Sequence, residues 1–312
     1  MYLVTSFGNM RYYIQLLRPK DWAKNLFLFI PSFFAGNFFV SKDILLLFGG
    51  FVAFCCFASS VYIINDYRDI EDDRKHPEKS KRPLASGMVK KTAAIFTCII
   101  LLLIGAVMGL LVDSSFKFLF VVFIYFILNL AYSFGLKNMA ILDILILASG
   151  FVLRVKSGAI ITNTDTSEWL IIMTFLLALF MAIAKRRDDI LLKISTGNEM
   201  RKSVKGYNLE FLNTMLGLFC AIIIVSYIMY TVDSKTYVRL HAYRLYYTSL
   251  FVIAGVMRYL QITFVQQQSG SPTKILYRDR FIQATIVLWI ISFYVILYLR
   301  DIVIFKSHQI SH

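Results

Sequence analysis

Between Asn65 and Asp73 the chain reads Asn-Asp-Tyr-Arg-Asp-Ile-Glu-Asp-Asp. On a continuing helix Asp66, Asp69 and Asp73 are spaced i, i+3, i+7, so at about 100° per residue they fall within about 60° of one another. Like charges on one face repel, and beside an apolar run solvent offsets that repulsion poorly, so such a face predicts a divalent cation as its partner. Hard carboxylate oxygens suit Mg²⁺, which keeps waters and binds through one or two carboxylates plus substrate phosphates. A solvated acidic helix end, balanced by Arg68, Arg74 and Lys75, stays open as the alternative. The continuation Lys79-Ser-Lys-Arg-Pro-Leu-Ala-Ser-Gly87 sets clustered cations beside the carboxylates, as a multiply charged phosphate ligand requires.

The elements that must position these residues are apolar runs close to the roughly 20 helical residues that cross a bilayer core. Nine such runs occur, approximately at 25–40, 44–64, 92–112, 118–134, 139–160, 169–184, 212–232, 246–265 and 281–299. The first and sixth are short, and Pro31 is expected to kink the first. The sequence therefore predicts an all-α fold, a polytopic bundle of nine transmembrane helices forming one integral-membrane domain over residues 1–312. Residues 1–24 form a cytoplasmic or interfacial lead-in, with apolar residues mixed among Arg and Tyr. Of the 33 Lys and Arg residues, 23 fall in one set of alternating connections and 7 in the other. That asymmetry predicts an N-terminus inside, a C-terminus outside, and both long polar connections, 65–91 and 185–211, in the cytoplasm. There, two stretches distant in sequence are expected to serve one site. The expected location is a bacterial inner membrane.

Composition agrees. Of 312 residues 58% are hydrophobic and 17% charged, and mean hydropathy is +0.66, which excludes a disordered chain and argues against a soluble enzyme. The net charge of +14 reads as membrane topology rather than as a nucleic-acid footprint. Cys55, Cys56, Cys98 and Cys220 lie inside apolar runs without zinc spacing and read as reduced packing residues. No signal peptide is expected, because Arg11, Arg18 and Lys20 precede the first apolar run.

The Asn-Asp-x-x-Asp-x-x-x-Asp pattern at Asn65 to Asp73, followed by Arg-Pro-Leu-Ala-Ser-Gly at Arg82 to Gly87, resembles the UbiA superfamily of intramembrane prenyltransferases over nearly the whole chain. The resemblance implies that Asn65, Asp66, Asp69 and Asp73 bind Mg²⁺ and a diphosphate. Relatives acting on aromatic acceptors carry a second spaced aspartate motif after span six, where this chain has Lys185-Arg-Arg-Asp-Asp189. Together with Arg18-Pro-Lys-Asp-Trp-Ala-Lys-Asn25 and Tyr132-Ser-Phe-Gly-Leu-Lys137, that departure resembles the decaprenyl-phosphate phosphoribosyltransferase branch. The branch implies transfer of phosphoribose from phosphoribosyl diphosphate to a membrane polyprenyl phosphate. Such a donor needs a metal-bearing carboxylate face and a separate cationic patch. Lys185 and Arg186 suit phosphate contact, with Lys24, Arg74, Lys81, Arg82 and Lys137 as further candidates and Tyr132 and Asp189 beside them.

Asp143, Arg154, Lys156 and Arg258 lie in or near spans, where ionised groups are costly unless paired or wet. Asp143 is placed to orient Lys137 or a ribose hydroxyl; Arg154 reads as a structural partner or a snorkelling residue, and Arg258 as a pairing residue of the bundle. The four His residues form no metal-binding spacing, and no Gly-rich phosphate loop follows a strand. Two rivals are kept. One is a prenyltransferase moving a polyprenyl group from its diphosphate to an aromatic or small acceptor; the other is a transporter or lipid-binding membrane protein.

Overall fold

The structure, a computed structural model, describes residues 2–35, 41–75, 79–196, 206–240, 244–266, 275 and 277–298. Every regular element among them is helical. Among the described residues, six helices are long and apolar enough to cross a bilayer: α3 (Ser41–Arg68), α5 (Lys91–Val112), α7 (Leu142–Ile161), α8 (Glu168–Thr196), α9 (Leu209–Val232) and α12 (Arg280–Tyr298). Two further expected spans form the shorter helices α6 (Lys117–Ser133) and α11 (Ser249–Phe264). Other helices among the described residues are α1 (Tyr2–Leu17), α2 (Ile30–Phe34), α4 (Ile70–Arg74) and α10 (Ser234–Leu240). Positions 36–40, 76–78, 197–205 and 299, which the expected spans and connections include, lie outside the described residues.

The first apolar run is not a single helix, which corrects the expected kink at Pro31. Residues Pro19–Phe29 form a 3-10 helix, and only Ile30–Phe34 are α-helical. A 3-10 run this long is uncommon, and irregular backbone at membrane depth persists only where protein buries it. Here it is buried from several sides. Arg18 precedes Pro19, which disfavours the right-handed helical region at that position, and it adopts φ 52°. Trp22 Nε1 donates to Ser59 Oγ at 3.0 Å, and Ser59 Oγ donates to the Leu17 carbonyl at 2.8 Å. Further along, a Cβ on Gly158 of α7 would fall far inside contact distance of the Leu28 carbonyl oxygen. Glycine is what lets these two backbones touch.

The chain divides into two compact units, residues 1–137 with 150–165, and residues 138–149 with 166–312. In the first, α3 packs along α5, α6 and the 3-10 segment. Leu28, Leu47, Phe54, Phe118, Val122 and Tyr125 form one core. A second core of Leu16, Ile63, Ile70, Leu84, Val89 and Ala94 joins α1 to α3 and to the segment after α4. The outer face of α5, with Ile95, Phe96, Ile99 and Leu103 exposed, suits lipid rather than protein. In the second unit α8 packs on α9, and α11 on α9 and α12. There Trp289 Nε1 donates to Tyr227 Oη at 2.6 Å, and Tyr227 Oη shares a 2.6 Å hydrogen bond with Thr248 Oγ1.

Arg154 is a buried charge of the first unit. Its guanidinium donates to Asn25 Oδ1 (2.8 Å), the Gly150 carbonyl (2.8 Å) and Tyr125 Oη (3.0 Å), and it lies over the rings of Phe54, Tyr125 and Phe151. Neutral acceptors and aromatic faces thus replace water around the charge. In the second unit Arg258 pairs with Asp279 at 2.8 Å, the bundle-pairing role expected of it. Lys156 is exposed.

Candidate functional site

The expected continuous acidic face is broken. α3 ends at Arg68, and Asp69, at φ −91° and ψ 10°, starts the short helix α4. The break is pinned from both sides: the Arg68 guanidinium donates to the Ser133 carbonyl and lies over Phe134, while Lys137 Nζ donates to both oxygens of Asp69 at 2.8 and 2.7 Å. Asp66 and Asp73 meet a different cation: one atom, Arg82 Nη1, donates to Asp66 Oδ1 at 3.0 Å and to Asp73 Oδ2 at 2.7 Å. Arg18 also pairs with Asp66. Both carboxylates are almost fully buried, at 2% and 3% exposure, whereas Asp72 is exposed.

Three carboxylates therefore meet three cations, Arg18, Arg82 and Lys137. Among the described residues no three His, Cys, Asp or Glu side chains are grouped as a ready metal site. Yet Asp66 and Asp73 fit a shared cation: their oxygens already lie on one positively charged nitrogen, and hard carboxylate oxygens are donors that Mg²⁺ accepts. Arg18, absent from the residues singled out for chemistry, signals itself only through the Arg-Pro junction that bends the chain toward Asp66. Asn65 is half-buried one residue before Asp66, and Tyr132 is half-buried near the end of α6. Arg74 is committed to Glu71 (3.0 Å) and to the Ala85 carbonyl (3.2 Å). Lys24 pairs with Asp21, and Lys81 is exposed.

A separate polar cluster lies in the second unit, at the start of α7 and along α8. Lys185 is exposed, but Arg186 is turned inward and is 1% exposed. Its Nε donates to Asp143 Oδ2 at 2.6 Å and its Nη1 to Asp189 Oδ2 at 2.9 Å. The other oxygen of Asp143 accepts from Tyr207 Oη at 2.7 Å. Tyr207 Oη in turn accepts from the Ile141 amide at 2.6 Å. Burial first, and then the bond to Asp143, push the Tyr207 phenol up from its ordinary pKa, so it remains a donor at neutral pH. Ile141 sits at φ 70°, a region a β-branched residue occupies at a cost of about 1–3 kcal/mol.

The family model described as the UbiA prenyltransferase family matches residues 26–198. The chain belongs to the UbiA prenyltransferase family. It is an integral membrane protein of that family, and the UbiA match covers both Asp66 to Asp73 and the Lys185 to Asp189 segment. Two relatives extend the likeness to most of the chain. A protein of Corynebacterium glutamicum named decaprenyl-phosphate phosphoribosyltransferase is 30% identical over 92% of this chain and 86% of its own. One of the same name from Mycolicibacterium smegmatis is 31% identical over 89% of each. A UbiA homologue from Archaeoglobus fulgidus, solved bound to GPP and Mg²⁺, shares the UbiA fold with a TM-score of 0.66 at 20% identity, covering 92% of this chain and 99% of that one.

Proposed function

We propose that this UbiA-family protein transfers a 5-phosphoribosyl group from phosphoribosyl diphosphate to a membrane polyprenyl phosphate and releases diphosphate. The observation that carries the reading is the near full-length likeness to two relatives named for that reaction. The arginine-centred cluster on α8 supports it, because a donor with phosphate at both ends calls for fixed cations as well as carboxylates. The nine-span, N-inside arrangement remains part of the proposal, with the first span broken as described.

In the reaction, the bond between ribose C1 and the diphosphate oxygen breaks while a bond from C1 to an oxygen of the lipid phosphate forms. Asp66, Asp69 and Asp73, with Asn65 beside them, are the residues that would hold Mg²⁺, whose chemistry there is to neutralise charge on the departing diphosphate. Arg18, Arg82 and Lys137 bind phosphate oxygens, exchanging their carboxylate partners for them; Lys24, Arg74, Lys81 and Tyr132 border this group. Within the second unit by itself, exposed Lys185 is the candidate contact for a donor phosphate, with Arg186, Asp143 and Asp189 behind it. The lipid phosphate is anionic at neutral pH, so no side chain has to remove a proton from it.

Purified protein with Mg²⁺, a polyprenyl phosphate and labelled phosphoribosyl diphosphate is expected to yield a phosphoribosyl lipid, read by mass spectrometry of the lipid fraction. Prenylation of an aromatic acceptor from a prenyl diphosphate, with no phosphoribosyl lipid formed, would establish the rival reaction instead. Orientation has its own check. Cysteines placed at Lys79 and at Thr196 should both react with membrane-impermeant thiol reagents from the cytoplasmic face alone, and labelling of the two from opposite faces would contradict the proposed topology.

A further inference from the structure

The geometry points to Tyr207 as a positioning residue for the donor: it clamps the turn at Ile141 and fixes Asp143, and through Asp143 it sets Arg186 and Asp189 on α8. This rests on the phosphoribosyl-transfer reading above. Four observations carry it, all within the second unit. The Tyr207 hydroxyl is the hinge of an unbroken chain that runs from the Ile141 amide through Asp143 and Arg186 to Asp189, with links of 2.6 to 2.9 Å. Every member of it except Ile141 and Asp189 is buried, so each link has to be satisfied within the protein. Ile141 is held at positive φ although the residue is 53% exposed; its carbonyl accepts from the Leu145 amide at 3.0 Å where α7 begins, and its amide is fixed by the bond to Tyr207 Oη. Finally, a Cβ on Gly206 would come within 2.6 Å of Ala140 Cβ, so the Gly206–Tyr207 pair docks on Ala140–Ile141 only because position 206 is glycine.

Loss of one oxygen tests the assignment. Without the hydroxyl, the Ile141 amide loses its acceptor, the turn relaxes toward negative φ, and Asp143, two residues on, no longer holds Arg186 where it stood. Tyr207→Phe is therefore expected to raise the KM for phosphoribosyl diphosphate about tenfold while kcat and the KM for the lipid phosphate change less than about twofold. The second variant separates positioning from bulk stability. Glycine adopts positive φ without cost, so Ile141→Gly placed in the Tyr207→Phe background should bring the donor KM back to within about threefold of the wild type. A Tyr207→Phe protein with a lowered thermal midpoint but an unchanged donor KM would reduce Tyr207 to a packing residue and overturn the proposal. So would an Ile141→Gly change that fails to restore the donor KM. If the wild-type protein forms no phosphoribosyl lipid, the reaction itself is misassigned and this role falls with it; if it turns over and only the variant responses are missing, the role of Tyr207 alone is wrong.

Discussion

Asp66→Asn is expected to lower turnover by about a thousandfold or more while leaving the protein folded and inserted. Asparagine keeps the volume of the side chain, so the core around α3 is undisturbed. What disappears is one negative charge that is almost fully buried and paired with both Arg18 and Arg82. The cation that Asp66, Asp69 and Asp73 would hold then has one anionic partner fewer. Arg18 and Arg82 keep partial contact with water, at 23% and 27% side-chain exposure, so the fold tolerates the change better than the chemistry does. Asp72→Asn, one residue from Asp73 but exposed, should stay within about twofold of wild type, since isolated surface charges contribute little. Removal of divalent metal by a chelator should reproduce the Asp66→Asn loss, and activity returning on Mg²⁺ addition would complete the test. A full-rate Asp66→Asn protein in chelator would end the metal assignment.

Gly158→Val is expected to destabilise the protein by about 3 kcal/mol or more, and in cells to deplete it from the membrane. The obstacle is the Leu28 carbonyl oxygen, a backbone atom of the 3-10 segment that no rotamer change can move aside. Separating α7 from that segment would also pull Arg154 from Asn25, leaving a buried guanidinium with one neutral acceptor fewer. Gly217→Ala supplies the contrast. It lies inside α9 with open space where its Cβ would be, so alanine should raise helix stability by up to about 1 kcal/mol. Thermal midpoints of the two variants in the same detergent would decide, and equal midpoints would mean that the contact at Leu28 does not constrain the fold.

Hydropathy runs translated into helices wherever lipid or the core sees one long apolar segment, as in α3, α5 and α9, because period and length are local properties of the chain. The segment 25–35 did not translate. Its conformation depends on Arg154 and Gly158, and no window around Pro31 contains either of them. The acidic pattern was legible in residue type, and Asp66 and Asp73 do reach one atom, yet the break at Asp69 depends on Lys137 and Ser133 from beyond α5. By residue type Lys185 and Arg186 are equal candidates for phosphate contact. The helix sorts them: about 100° per residue leaves Lys185 exposed and turns Arg186 onto Asp143. Tyr207 carried no signal of its own among 18 tyrosines; the glycine before it and the helix-capping Asn208 after it, whose Oδ1 accepts from the Phe211 amide, were the only local hints that this point of the chain is fixed.

The broken first segment also bears on how the protein is made. Asn25 and its partner Arg154 are 129 residues apart, and a ribosome adding about 5–20 residues per second needs on the order of ten seconds to bridge that interval. Throughout that time the 3-10 segment has neither Arg154 to bond Asn25 nor Gly158 to seat Leu28, and its five-residue α2 is too short to insert as a stable unit by itself. The N-terminal part of the chain thus acquires its final conformation out of sequence order, after α3, α5 and α6 are in place and α7 has emerged. A nascent chain stopped short of α7 would leave the amides and carbonyls of the segment open to the insertion machinery, and to the proteases that survey it.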